Sequence, residues 1–190
     1  MAIRAAVLFV VLLAGNALAD ESAALPTAAS VGGRELVRNG TAVRSVWGFQ
    51  VYSVGLFLGK KTGDAAKIMD QDRDPKRVQM HMLRAVDKER FVATVRENID
   101  HNLSDREKET FAAELAAYLG YLQKGGDIEP GRVITIDYLP GTGTVLGLDG
   151  RQVGVIPGDD FYHLMLRLWI GRPLQASIKD GLLGADSSDD

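Results

Sequence analysis

The 190-residue chain contains no cysteine. That excludes a disulfide framework, thiolate metal sites and thiol catalysis, so stability has to come from the core. Histidine is nearly as scarce. His81, His101 and His163 are far apart, with no H-x-x-x-H or H-E-x-x-H pair, so no zinc site is expected. There is no Lys/Arg run: 22 basic residues face 25 acidic ones, which argues against nucleic acid as a partner. No apolar run reaches the roughly 20 residues needed to span a bilayer. No serine sits in G-x-S-x-G, and the glycine-rich stretch Pro140 to Thr144 has no G-K-[ST] and leads into a strand. It reads as a hairpin turn. Asp70, Asp72 and Asp74 imitate the start of a calcium loop without its glycine and closing glutamate, so a solvated acidic loop is expected. No cofactor is implied by any of these patterns.

The first nineteen residues read as a secretory signal peptide. Arg4 is the positive n-region, Ala5 to Leu13 the apolar run, and Ala17-Leu18-Ala19 an A-x-A cleavage site before Asp20. The expected location is therefore periplasmic or secreted, with no transmembrane segment in the mature chain. Cleavage leaves one domain of about 170 residues, long enough to bury a substantial core. Residues 20–31, with alanine, serine and proline, read as a flexible arm. Residues 32–184 form the domain, and 185–190 an acidic, disordered tail.

The domain is organised around Val43 to Leu58, which reads as a β-hairpin with a long second arm, both of whose faces are mostly apolar. Asn39-Gly40 is a hairpin signal ahead of it. Arg77 to Ala85 alternates as a half-buried strand. Asp87 caps a helix over Lys88 to His101, with Phe91, Val92, Val95 and Ile99 on its apolar face. Asn98 stands on that face, two turns after Phe91. Ser104 and Glu107 form a capping box for a helix through Leu122. Three strands joined by tight turns then run from Arg132 to Ile156. A helix capped by Asp159 and a short helix over Leu174 to Leu183 close the chain. Strands joined by hairpins, interleaved with helices, give an α+β domain with a mainly antiparallel sheet and helices layered on one face.

One cation, Arg44, lies beside the central strand. A buried guanidinium needs a partner. Two readings are open: Arg44 anchors an anionic ligand, or it pairs internally with a core carboxylate such as Asp137.

Taken together, these stretches resemble the chalcone isomerase-like superfamily. The run N-G-T-A-V-R-S-V-W-G-F-Q-V-Y-S-V-G-L-F-L (39–58) is similar to its core hairpin. D-Y-L-P-G-T-G-T-V-L-G-L-D-G (137–150), I-P-G-D-D-F-Y-H-L-M-L-R-L-W-I-G-R-P-L (156–174) and S-I-K-D-G-L-L-G (177–184) resemble its exported bacterial branch. The resemblance covers nearly the whole mature chain. It implies an open-faced β-sandwich with a ligand cleft between sheet and helices.

The plant enzymes of this superfamily cyclise chalcones. By that resemblance Arg44 corresponds to their arginine, Tyr52 or Ser53 to their hydroxyl residue, and Asn98 to their asparagine. Phe91 replaces their tyrosine, and Gln152-Val153 stands where a threonine is expected. Other branches bind fatty acids with the carboxylate on the same arginine. The resemblance thus implies a non-catalytic protein that binds a small amphipathic carboxylic acid, with Arg44, Tyr52, Ser53, Phe91 and Asn98 as ligand-binding residues. The alternatives are an intramolecular lyase with Arg44 as electrostatic catalyst, and an interaction module with no ligand.

Overall fold

The computed structural model describes residues 25–70 and 74–184. The expected signal peptide, its cleavage point, residues 20–24 of the expected arm and the acidic tail lie outside the described residues. So does the middle of the expected acidic loop.

Seven strands form one antiparallel sheet in the order of the chain. They are β1 (Ala28–Val31), β2 (Arg34–Val46), β3 (Phe49–Leu58), β4 (Lys76–Met82), β5 (Val133–Leu139), β6 (Gly143–Leu148) and β7 (Arg151–Pro157). Six helices, α1 (Ala65–Met69), α2 (Lys88–Asn102), α3 (Asp105–Thr110), α4 (Ala112–Lys124), α5 (Asp159–Ile170) and α6 (Ala176–Leu182), complete the domain. The sheet is curled, and the helices cover one face. The α+β reading of the sequence is the fold observed.

Strand alternation explains why β3 is central. Tyr52, Val54, Leu56 and Leu58 face the helices, where Val54 and Leu56 are fully buried with Val78, Met80, Ile134 and Ile136. Phe57 points the other way, into a smaller cluster with Ala29, Val31 and Leu36. For residues 25–31 this cluster corrects the reading as a loose arm. Leu25, Ala29 and Val31 are buried, and β1 pairs with Arg34–Val37 around a Gly32-Gly33 turn. Burying the Phe57 ring from the outer side is the physical reason for an ordered segment there.

Three further expectations are corrected. Asn39-Gly40 is not a turn. It sits inside β2 as a bulge, with the register slipping between Arg38 and Gly40. The Asn39 side chain donates to the Leu182 carbonyl at 2.8 Å and accepts from the Thr62 N–H at 2.7 Å. Long-range bonds of this kind outweigh the dipeptide's local preference for a hairpin. The actual turn is Trp47-Gly48, both with positive φ.

The helix expected over Ser104–Leu122 is two helices. Its capping box is present, but the backbone breaks at Phe111 (φ −105°, ψ 25°). The apolar stripe runs through the break, so periodicity could not reveal it. Asp159 lies in the first turn of α5 after Gly158 at the N-cap, and its carboxylate accepts from the Gly141 N–H.

One close approach positions the site. On β2, a Cβ at Gly40 would fall 2.1 Å from the Gly181 carbonyl oxygen. On α6, a Cβ at Gly181 would fall 2.3 Å from the Thr41 oxygen. The last helix therefore lies backbone-to-backbone on β2, which only glycine at both positions allows.

Candidate functional site

A cavity of about 820 Å³ opens between the β2–β3 end of the sheet and helices α2, α4, α5 and α6. That is within the usual size of small-molecule sites. Its walls are mostly apolar: Val51 and Met80 from the sheet, Phe91 and Val95 from α2, Leu168 from α5, Ile178 from α6. Polar groups line it as well: Arg44, Tyr52, Asn98 and Tyr118, joined by Arg84 and by residues of the α2 side, Asp87, Arg90, Thr94 and Glu97.

Arg44 comes from β2, directly across from Tyr52 on β3. It is half-buried, and its Nη1 donates to Gln175 Oε1 at 3.1 Å and to its neighbour's carbonyl, Ser45, at 3.2 Å. Gln175 also accepts from the Ser45 N–H at 2.9 Å and donates to the Val43 carbonyl at 2.9 Å. Beyond Val37, β1 no longer covers this edge of β2, and the register with β3 slips between Arg44 and Ser45. The Gln175 amide serves as a one-residue strand there, satisfying backbone groups that would otherwise be left open. In doing so it aims the guanidinium.

The internal pairing of Arg44 with Asp137 does not occur. Asp137 takes a bidentate pair from Arg77, at 2.6 Å to each oxygen. The two residues are Cα partners across β4 and β5, on the opposite side of the sheet from the cavity. Arg44 has no carboxylate partner among the described residues, and its Nε and Nη2 meet no acceptor there.

Tyr52 presents its phenol to the cavity. Burial pushes that phenol up to about 12, with the Arg44 guanidinium pulling weakly the other way. Tyr118 of α4 lines the same cavity. Burial raises its phenol further, and the nearby Tyr52 adds to the rise. Both hydroxyls keep their protons at neutral pH, and neither has a hydrogen-bond partner among the described residues. They are donors awaiting an acceptor.

Asn98 lines the cavity but is already engaged. Its amide donates to the Leu168 carbonyl at 3.1 Å and its oxygen accepts from Asn102 at 2.9 Å, tying α2 to α5. Phe91 is an apolar wall residue.

Ser53 is a correction. One position after Tyr52 on a strand, it points to the other face of β3, beside Val43 and His81. It borders a separate depression of about 510 Å³ with Gln50 and Leu83. The structure therefore brings Arg44, Tyr52, Phe91 and Asn98 to one cavity and leaves Ser53 out.

Two contributors were not singled out from sequence. Tyr118 passed for one member of an apolar stripe; its only signal is a hydroxyl among leucines. Gln175 gave none, since its role depends on β2, some 130 residues away. Asp87, Glu89 and Asp127 bring carboxylates within 4.8 Å of one another, all exposed. Asp87 caps α2 and Asp127 accepts from the Lys88 N–H, which accounts for two of the three.

No curated protein matches the chain. Among solved structures, an Arabidopsis thaliana fatty-acid-binding protein superposes with a TM-score of 0.61 at 14% identity, covering 86% of this chain and 93% of that one. At such identity the likeness is one of fold. The model of the chalcone isomerase-like family matches residues 19–184, essentially the whole domain, and the chain belongs to that family.

Proposed function

We propose that the protein binds a small amphipathic carboxylic acid of fatty-acid type in the 820 Å³ cavity, without catalysing a reaction on it. The observation that carries the reading is Arg44. A guanidinium facing an apolar cavity, steadied by a neutral amide and unpaired by any described carboxylate, is built to receive an anion. The protonated Tyr52 phenol beside it, with the Tyr118 phenol next to Tyr52, adds hydrogen-bond donors for the same head group. The apolar walls suit an acyl tail. The structural neighbour from Arabidopsis thaliana, a fatty-acid-binding protein, has the same fold, which supports the choice of ligand class. A cleft whose cation was paired internally to a carboxylate would favour an interaction module instead; Arg44 meeting Gln175 rather than an acid supports the ligand reading.

The test is a titration with a long-chain fatty acid, alongside native mass spectrometry of protein purified from its own periplasm. Saturable binding that Arg44→Lys weakens is the expected result, because lysine keeps the charge but loses the two-pronged fork. Saturable binding that Arg44→Lys leaves untouched overturns the reading. Cyclisation of a hydroxychalcone is expected to stay at the spontaneous rate; an enantioselective flavanone product would favour the lyase alternative. The proposed periplasmic location rests on residues 1–19, and N-terminal sequencing should find Asp20 first.

A further inference from the structure

The tip of the β2–β3 hairpin is the most apolar exposed point among the described residues. Trp47 is 94% exposed, with Phe49 at 55% and Val46 at 38%. Trp47 also holds φ at +53°, in the left-handed region. That region suits glycine, asparagine or aspartate, and a bulky side chain there stores strain of roughly 1–2 kcal/mol. Neither burial nor turn geometry asks for an indole at this position. A strained residue that also stands in water points to something it touches in use.

What it touches is indicated by its surroundings. The tip is continuous with the cavity, since Val46, Trp47, Phe49 and Arg84 all rim the opening. The Arg84 guanidinium lies over the Phe49 ring, 4.5 Å from its centroid. On the sheet side and the segment after β4, the lining residues up to Val86 carry Arg44 and Arg84 and no acid; Asp87 and Glu97, with Arg90, follow on the α2 side. An indole beside a phenyl ring and guanidinium groups matches the head-group zone of a bilayer. There aromatic rings sit half in apolar surroundings, and arginine meets phosphate.

We infer that the β2–β3 tip docks on a phospholipid bilayer with anionic head groups, Trp47 and Phe49 entering the boundary of the acyl chains and Arg84 meeting a phosphate. The cavity then opens against lipid, and an amphipathic ligand passes between bilayer and protein without crossing water. The docking itself does not depend on the ligand; only its purpose rests on the function proposed above.

The experiment is co-sedimentation of the mature protein with vesicles of phosphatidylglycerol and phosphatidylcholine in equal parts, free of fatty acid, read together with tryptophan fluorescence. The two tryptophans differ usefully, because Trp169 is only 6% exposed and Trp47 reports the surface. Binding with a blue shift is expected. Trp47→Ser should lower partitioning roughly tenfold or more, as one exposed aromatic surface is withdrawn, and abolish the shift. Arg84→Gln should weaken binding only where phosphatidylglycerol is present, and Val153→Ser, an exposed apolar site on β7, should change nothing.

No sedimentation with these vesicles overturns the inference, as does sedimentation that Trp47→Ser leaves intact. A concentration-dependent dimer lost in Trp47→Ser, with no vesicle binding, would assign the tip to a second copy of the chain instead. A fatty-acid titration in lipid-free solution separates the two readings. Retained affinity without vesicle binding removes the docking alone, and vesicle binding without affinity removes the ligand alone.

Discussion

Arg44 and Arg77 stand two strands apart in one sheet and have opposite fates. Arg77 lies on the outer face with both of its prongs on Asp137. Arg44 lies on the helix face with one prong on a neutral glutamine and the others turned toward a cavity. The difference is the charge of what the neighbouring element supplies. β5 brings a carboxylate into register with Arg77, and the pair is complete within the fold. The chain before α6 brings an amide to Arg44, which fixes the guanidinium without neutralising it. A cation that folding neutralises is a structural one; a cation that folding orients but leaves uncompensated has the form the proposed binding role requires.

The comparison can be broken most sharply at its structural end. Arg77→Met should strand a mostly buried carboxylate at Asp137 and cost about 3–5 kcal/mol, read as a steep fall in melting temperature. Fatty-acid affinity of the surviving folded protein should not change. Arg44→Met is the counterpart. It should leave the melting curve within about 1 kcal/mol of the parent or raise it, yet weaken fatty-acid binding by about ten- to a hundredfold, the worth of a charge-assisted contact. If both variants lose stability alike, the distinction between the two arginines fails.

Gln175→Leu tests what holds Arg44 in place. It leaves the Ser45 N–H and Val43 carbonyl without their partner, at a cost of about 1–2 kcal/mol. Affinity should fall severalfold, less than in Arg44→Met. An unchanged affinity would show that Arg44 finds its aim without the glutamine.

The smallest effect concerns a third cation, neutralised as Arg77 is. Arg167 donates to Glu107, whose carboxyl is drawn down to about 2, first by the Ser104 backbone N–H and then by Arg167. A carboxyl depressed in the folded state contributes stability in full above its unfolded value, near 4.3. That contribution is lost as pH falls through the window down to about 2. Melting curves taken between pH 5 and pH 2 should show the decline, and Glu107→Gln should flatten part of it.

Where alternation or helical spacing was strong, the sequence disclosed the fold. β3 from Phe49 to Leu58, the helix beginning at Lys88 and the hairpin at Asp149-Gly150 all follow from local chemistry. The departures have a common cause in distant contacts. Asn39-Gly40 reads as a turn until Thr62 and Leu182 claim its side chain. Ala28–Val31 reads as loose until the back of Phe57 needs covering. At the site, Arg44 was legible as a cation beside an apolar strand, but its partner was not. Choosing between Asp137 and Gln175 requires the strand register, which sequence alone did not give. The uncertainty between Tyr52 and Ser53 was of the same kind, a single residue on a period of two, and alternation along β3 resolves it in favour of Tyr52.

The meeting of Gly40 with Gly181 has a kinetic consequence. Each strand of the sheet pairs with the next in sequence, so most pairings close short segments and can form early. The wall made by α6 closes a loop of some 140 residues, and its closure entropy is recovered only when helix and strand backbones touch. The sheet can therefore assemble before the cavity is closed, and the wall that α6 supplies is the last part of the molecule to come into being.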